Sequence, residues 1–195
     1  MRLMLAAFVT FWVHGADAQQ SHGPTQRGHV DPSHARAHGE TGAADGHAKP
    51  YAGFQNRPIK PLSFEQIADL RAGRGMAFAL AAELNGYPGP MHVLEHADAL
   101  KLDADQRRTM DRLLQEMRRD AVIAGEALIA AEAGLDQIFA SGVADNAGLA
   151  EHIRRAASAQ GEVRRVHLAA HIATRQALSA SQIALYDRLR GYAPN

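Results

Sequence analysis

The chain has 195 residues, 21 basic against 21 acidic side chains, and therefore no net charge. That balance excludes an electrostatic nucleic-acid binder, which needs a basic excess against phosphate. No cysteine is present, which removes disulfides, thiolate metal ligands and cysteine nucleophiles, and aromatics are 6% of the residues while helix formers such as Ala, Leu, Glu, Gln and Arg abound.

Met1 to Ala18 reads as a secretory signal. Arg2 supplies the positive end, Leu3 to Val13 the apolar run, and Ala16-Asp17-Ala18 the small-x-small cleavage site. The run is about half the roughly 20 apolar residues a spanning helix needs, so export is expected, with the mature chain starting at Gln19 and no membrane span after cleavage. Residues 19–50 carry His22, His29, His34, His38 and His47 among Gly, Pro, Ser and Thr, with no apolar periodicity. A disordered linker is expected there. Its imidazoles can chelate transition metals, or the segment is simply a solvated tether; the irregular spacing favours neither.

From about residue 51 onward the expectation is an all-α domain of four to five helices. The pattern Leu-(Ser or Asp)-x-x-Gln opens three of them: Leu62-Ser63-Phe64-Glu65-Gln66, Leu102-Asp103-Ala104-Asp105-Gln106 and Leu178-Ser179-Ala180-Ser181-Gln182. Each is a capping box, with the Ser or Asp oxygen accepting from the first turn and the Gln reaching back to the cap. Helix starts follow near 63, 103 and 179. Asn85-Gly86 and Pro88-Gly89-Pro90 end the first helix, which Gly73 and Gly75 weaken or kink, and a short helix spans about Met91 to Leu100. The next is long, with a seam of Met110, Leu114, Met117, Ala121, Ala124, Leu128, Ala131, Leu135 and Ile138, stopping near Ser141-Gly142. Asp145 or Asn146 caps a return helix with the seam Leu149, Ile153, Ala156, Gln160, Val163, His167, Ala170, Thr174 and Ala177. The short connection predicts an antiparallel helical hairpin, and a final helix covers about Ala180 to Arg190.

Two histidine pairs stand at i, i+4 on these helices: His92 with His96, and His167 with His171. That spacing puts both rings on one helix face. Two pairs on facing helices can supply a four-ligand metal site, with Glu95, Met91 and Met117 as further donors and the thioethers favouring a soft ion such as Cu(I). The competing reading is structural, with His167 a buried neutral histidine on the seam and His92 part of the turn after Pro90. A His-Glu-x-x-His motif is absent, as are a nucleophile elbow and a phosphate-binding loop, so binding without catalysis, and no organic cofactor, is expected. Arg107, Arg108, Arg112, Arg118 and Arg119 on the long helix, with Arg154, Arg155, Arg164 and Arg165 on its neighbour, form either a solvated face paired with acids or a cationic rim around an apolar surface.

The signal sequence, the three Leu-(Ser or Asp)-x-x-Gln motifs and the helix order resemble the Spy/CpxP family of periplasmic proteins, over roughly Leu62 to Tyr192, with Ser or Asp where that family has Thr or Ser. The resemblance implies a hook-shaped helical hairpin that forms an antiparallel homodimer with a concave surface, and a role in envelope stress or heavy-metal response. It implies either binding of Zn, Ni or Cu or an ATP-independent chaperone that holds unfolded clients; a CpxP-like partner of a sensor kinase is a third, weaker implication. In the sensor branch a His-x-x-x-His pair precedes the hairpin, which His92 and His96 match, and a histidine near the hairpin's end completes the site, which His167 or His171 matches with about one residue's difference in spacing. A carboxylate on the long helix is also implied, with Glu116 the candidate by position. That branch is membrane-tethered, whereas this chain reads as released.

Overall fold

A computed structural model describes residues 49–193. The expected signal at 1–18 and nearly all of the expected linker at 19–50 lie outside the described residues. Among them the protein is all-helical: a 3-10 turn at Phe54–Asn56, then α1 (Phe64–Arg71), α2 (Leu80–Glu83), α3 (Pro90–Glu95), α4 (Ala104–Ala140), α5 (Asn146–Gln176) and α6 (Ala180–Leu189). No described helix is long and apolar enough to cross a membrane.

The three capping boxes form as the motif dictates. Ser63, Asp103 and Ser179 accept from the backbone N–H of Gln66, Gln106 and Gln182, and each glutamine side chain accepts from its own cap N–H. α4 stops at Ser141, followed by Gly142 in the left-handed region at φ 71°, and Asp145 caps α5 by accepting from Gly148 N–H at 2.6 Å.

The region between α1 and α3 departs from expectation, and six α-helices replace the expected four or five. The first helix ends at Arg71, and α2 is a separate single turn. Gly73 decides this: it adopts φ 63°, and a Cβ there would lie 2.8 Å from the Arg118 carbonyl of α4. The chain is pressed against α4 at that point and turns away. Met76 and Ala77 follow at φ 41° and 62°, conformations that cost an L-residue about 1–2 kcal/mol each. α3 is also shorter than expected. It ends at Glu95, with His96 as its C-cap, and the chain continues to Lys101 in hydrogen-bonded turns. This path lets Val93, Ala97, Leu100 and Leu102 all reach one apolar cluster.

Two cores result. One joins Ile67 and Leu70 of α1 to Ala121, Ala124, Leu128 and Ile129 of α4 and Val163 and Val166 of α5. The other gathers Val93, Leu100, Leu102, Met110, Leu178 and Tyr186. Small residues set the spacing in the first: at Gly125 a Cβ would stand 2.5 Å from the Leu70 carbonyl. α4 and α5 make the most extensive contact in the protein. Gln106, near the start of α4, donates to the Ala177 carbonyl just beyond α5, while Gly134, near the other end of α4, lies against His152 in the first turns of α5.

Candidate metal centre

The turn from Ala72 to Gly75, the first residues of α3, Met117 and Arg118 of α4, and His167 and His171 of α5 enclose a cavity of about 590 Å³. Three of the histidines singled out in the sequence line it: His92, His167 and His171, with Met91 and Met117 beside them. A larger and more open groove of about 800 Å³ runs between the distal halves of α4 and α5. Its only imidazole is His152, and of its charged side chains Glu151, Arg154 and Arg155 are ion-paired to one another and Glu162 to Arg165.

Each of the three cavity histidines has one ring nitrogen already committed. His167 Nε2 is 3.2 Å from the Arg74 carbonyl, and His171 Nδ1 is 2.7 Å from the Tyr87 carbonyl. A carbonyl only accepts, so the imidazole donates in both cases. His92 Nδ1 donates to the Glu95 carboxylate at 2.8 Å, a hydrogen bond that holds the Glu95 carboxyl below its ordinary range. In the neutral ring the remaining nitrogens, His167 Nδ1, His171 Nε2 and His92 Nε2, carry the lone pairs. An imidazole oriented by an outer carbonyl or carboxylate is the usual condition of a metal-ligating histidine. His167 is 1% exposed, and its Nδ1 is buried without a hydrogen-bond partner. Burial first, and the neighbouring His171 second, push its pKa down, so the ring is neutral at neutral pH.

The other two expected ligands stand elsewhere. His96, as the C-cap of α3, no longer shares a helix face with His92; its ring packs edge-on against Tyr186 at 6.3 Å between centroids. Glu116 accepts from Arg112 at 3.1 Å and faces a different groove, beside Asp120 and Arg165. Among the described residues no three His, Asp or Glu side chains stand close enough together to hold an ion. The four-histidine arrangement expected from the sequence is thus replaced by three imidazoles around one cavity, without a carboxylate in its wall.

Glu83 escaped the sequence reading. It is 7% exposed, accepts from the hydroxyls of Tyr186 and Tyr192 and from Gly89 N–H, and lies 3.6 Å from both Arg190 Nε and His171 Nδ1. This buried carboxylate ties α6 and the entry to α3 to the back of a cavity histidine. Its one trace in the sequence is a lone charge inside the apolar run Met76 to Leu84. Burial and the adjacent carboxylate push the Tyr186 phenol well above its ordinary pKa, so it remains a donor.

Most of the arginines on the long helices are paired with acids: Arg107 with Asp98, Arg108 with Asp105, Arg112 with Glu116, Arg119 with Asp120, Arg165 with Glu162. That is the solvated-face reading. Arg118 differs. Its guanidinium reaches the Met91 sulfur at 3.8 Å on the cavity wall, and it has no carboxylate partner among the described residues.

The chain matches no protein-family model, no curated protein and no solved structure.

Proposed function

We propose that this protein is an exported, periplasmic envelope-stress or heavy-metal-response protein of the Spy/CpxP kind that works by binding a transition-metal ion, not by catalysis. The observation that carries the reading is the cavity in which His92, His167 and His171 each spend one nitrogen on an oxygen acceptor and leave the other without a hydrogen-bond partner among the described residues. The ion is held between α3 and α5, so binding ties these elements together and stabilises the folded state by mass action. In this reading α4 and α5 form the antiparallel hairpin of a hook-shaped protomer, two protomers make the homodimer, and a sensor kinase is the class of partner that reads the metal-loaded state. Calorimetry with Zn, Ni and Cu on the protein and on a His92→Ala/His167→Ala variant tests it. One binding event absent from the variant is expected; identical isotherms refute the cavity as a metal site.

A second reading, an ATP-independent chaperone, is supported by Ile123, Phe139, Ile153 and Ile172, large apolar side chains that remain exposed on α4 and α5. Suppression of client aggregation in the presence of a chelator is its test. No suppression at one dimer per client rejects it.

A further inference from the structure

We infer that the ion this cavity selects is a soft monovalent one, Cu(I), for which Ag(I) is a redox-inert probe, over Zn(II) or Ni(II); the inference rests on the metal-binding reading above. Three features of the cavity carry it.

The first is the donor set. Every candidate donor side chain in the wall is an imidazole or a thioether: His92, His167, His171, Met91 and Met117. Thioether sulfur is a poor ligand for Zn(II) and Ni(II) and a good one for Cu(I).

The second is charge. No Asp or Glu lines the cavity, whereas Arg74 and Arg118 do. Arg74 is held by Asp69 at 2.7 Å, but Arg118 reaches only the Met91 sulfur among the described residues. Neutral donors in a partly enclosed site whose wall carries Arg118 give a second positive charge no direct counter-charge. The unfavourable Coulomb energy grows in proportion to ionic charge, so a monocation is penalised half as much as a dication. Glu95, behind His92, and the buried Glu83, 3.6 Å from His171 Nδ1, neutralise some of this, each at one remove from the ion.

The third is number. No three His or carboxylate groups converge among the described residues. Zn(II) sites are almost always four-coordinate, and Ni(II) prefers square-planar or higher coordination. A closed-shell d10 monocation is satisfied by fewer donors, so two imidazoles completed by one thioether suffice. The sulfur of Met91 is already at the wall, held by Arg118. An incoming soft cation displaces that guanidinium, a weak donor to sulfur that has ample solvent to turn into.

The experiment compares the full protein with Met91→Leu/Met117→Leu and with His92→Ala/His167→Ala. Cu(I) is titrated anaerobically against a chromophoric Cu(I) chelator, Ag(I) by calorimetry, and Zn(II) and Ni(II) against their own indicators. Leucine conserves methionine's volume, and thermal denaturation of each apo variant verifies folding. The expected result is a Cu(I) and Ag(I) site that weakens by at least about tenfold in the leucine variant, the low end of what loss of an outer-shell partner costs, with weaker Zn(II) and Ni(II) binding unchanged. If Zn(II) or Ni(II) binds the cavity more tightly than Cu(I), or the leucine variant holds Cu(I) as the wild type does, the soft-ion assignment is overturned while the metal site stands. If the histidine variant matches the wild type for every ion, the metal-binding reading falls and takes this one with it.

Discussion

The side-chain amides of Gln106 and Gln182 are hydrogen-bonded to each other in both directions, at 3.0 and 2.9 Å. Both are the closing residue of a capping box, so the same glutamine that finishes a helix start also joins two helix starts that are 76 residues apart in sequence. Gln106 further donates to the Ala177 carbonyl and Gln182 to the Leu100 carbonyl. The recurring Leu-x-x-x-Gln pattern thus acts twice, first locally and then in tertiary structure. Gln106→Ala and Gln182→Ala are each expected to lower the unfolding free energy by about 1–3 kcal/mol, since each leaves part-buried polar partners unpaired. The double variant should cost less than the sum, as measured by a urea-denaturation cycle. Strict additivity would mean the two amides do not interact.

Gly125 brings the backbone of α1 onto α4, because a Cβ there would stand 2.5 Å from the Leu70 carbonyl. Backbone cannot rotate away as a flexible side chain can. Gly125→Ala is expected to destabilise the fold by about 1–3 kcal/mol or more through overpacking, despite alanine's better helix propensity. Thermal denaturation reads the sign; a gain in stability would show that α1 does not sit there.

Glu83 and Tyr186 form a buried pair that pins α6 to α2. Tyr186→Phe should cost about 1.5–3 kcal/mol, the range for a hydrogen bond to a charged group. Glu83→Ala should cost more, since it also strips Tyr192 and Gly89 of their acceptor. Hydrogen exchange across residues 180–189 should accelerate in both, with α4 unaffected; uniform acceleration would mean the pair supports the whole fold, not α6 alone.

His167 makes stability depend on pH. Its folded pKa is depressed by burial and by His171, so below the ordinary histidine value of about 6.5 the unfolded chain takes up a proton that the folded chain resists. The stabilisation is fully present above about pH 6.5 and is lost as pH falls toward the lowered folded value, with a slope of at most about 1.4 kcal/mol per pH unit. Urea midpoints between pH 7.5 and 5 should fall for the wild type and flatten for His167→Gln. An unchanged slope in that variant would remove His167 as the cause.

The features legible in the sequence are those whose physics is local. A capping box needs only residues three apart, so the starts at Ser63, Asp103 and Ser179 could be read directly, as could the stop near Ser141-Gly142, while the sequence narrows the α5 cap to Asp145 or Asn146, of which Asp145 serves. The break after Arg71 could not, because its cause is the distant Arg118 carbonyl facing Gly73. The seam expected for α5 is buried only in part. Val163, His167, Ala170 and Thr174 are buried, but Gln160 and Ile153 are exposed and Val166, off the seam, is buried. A seam drawn for two helices misses the extra face that α1 covers. The histidine spacing was legible but its consequence was not: His92 and His96 part company because α3 ends at Glu95, while His92 lines one cavity with His167 and His171 through tertiary packing no periodicity encodes.

Metal binding in this cavity depends on the protonation pattern of three imidazoles, and long-range proton–nitrogen NMR of the histidine rings reads it directly. Before metal is added, His167 should carry its hydrogen on Nε2, and His92 and His171 on Nδ1. On addition of one equivalent of Ag(I), the unprotonated nitrogens of at least two of these rings should shift or acquire coupling to silver. Opposite tautomers, or signals from all three that stay fixed while other histidines respond, would contradict the assignment of this cavity as the metal site.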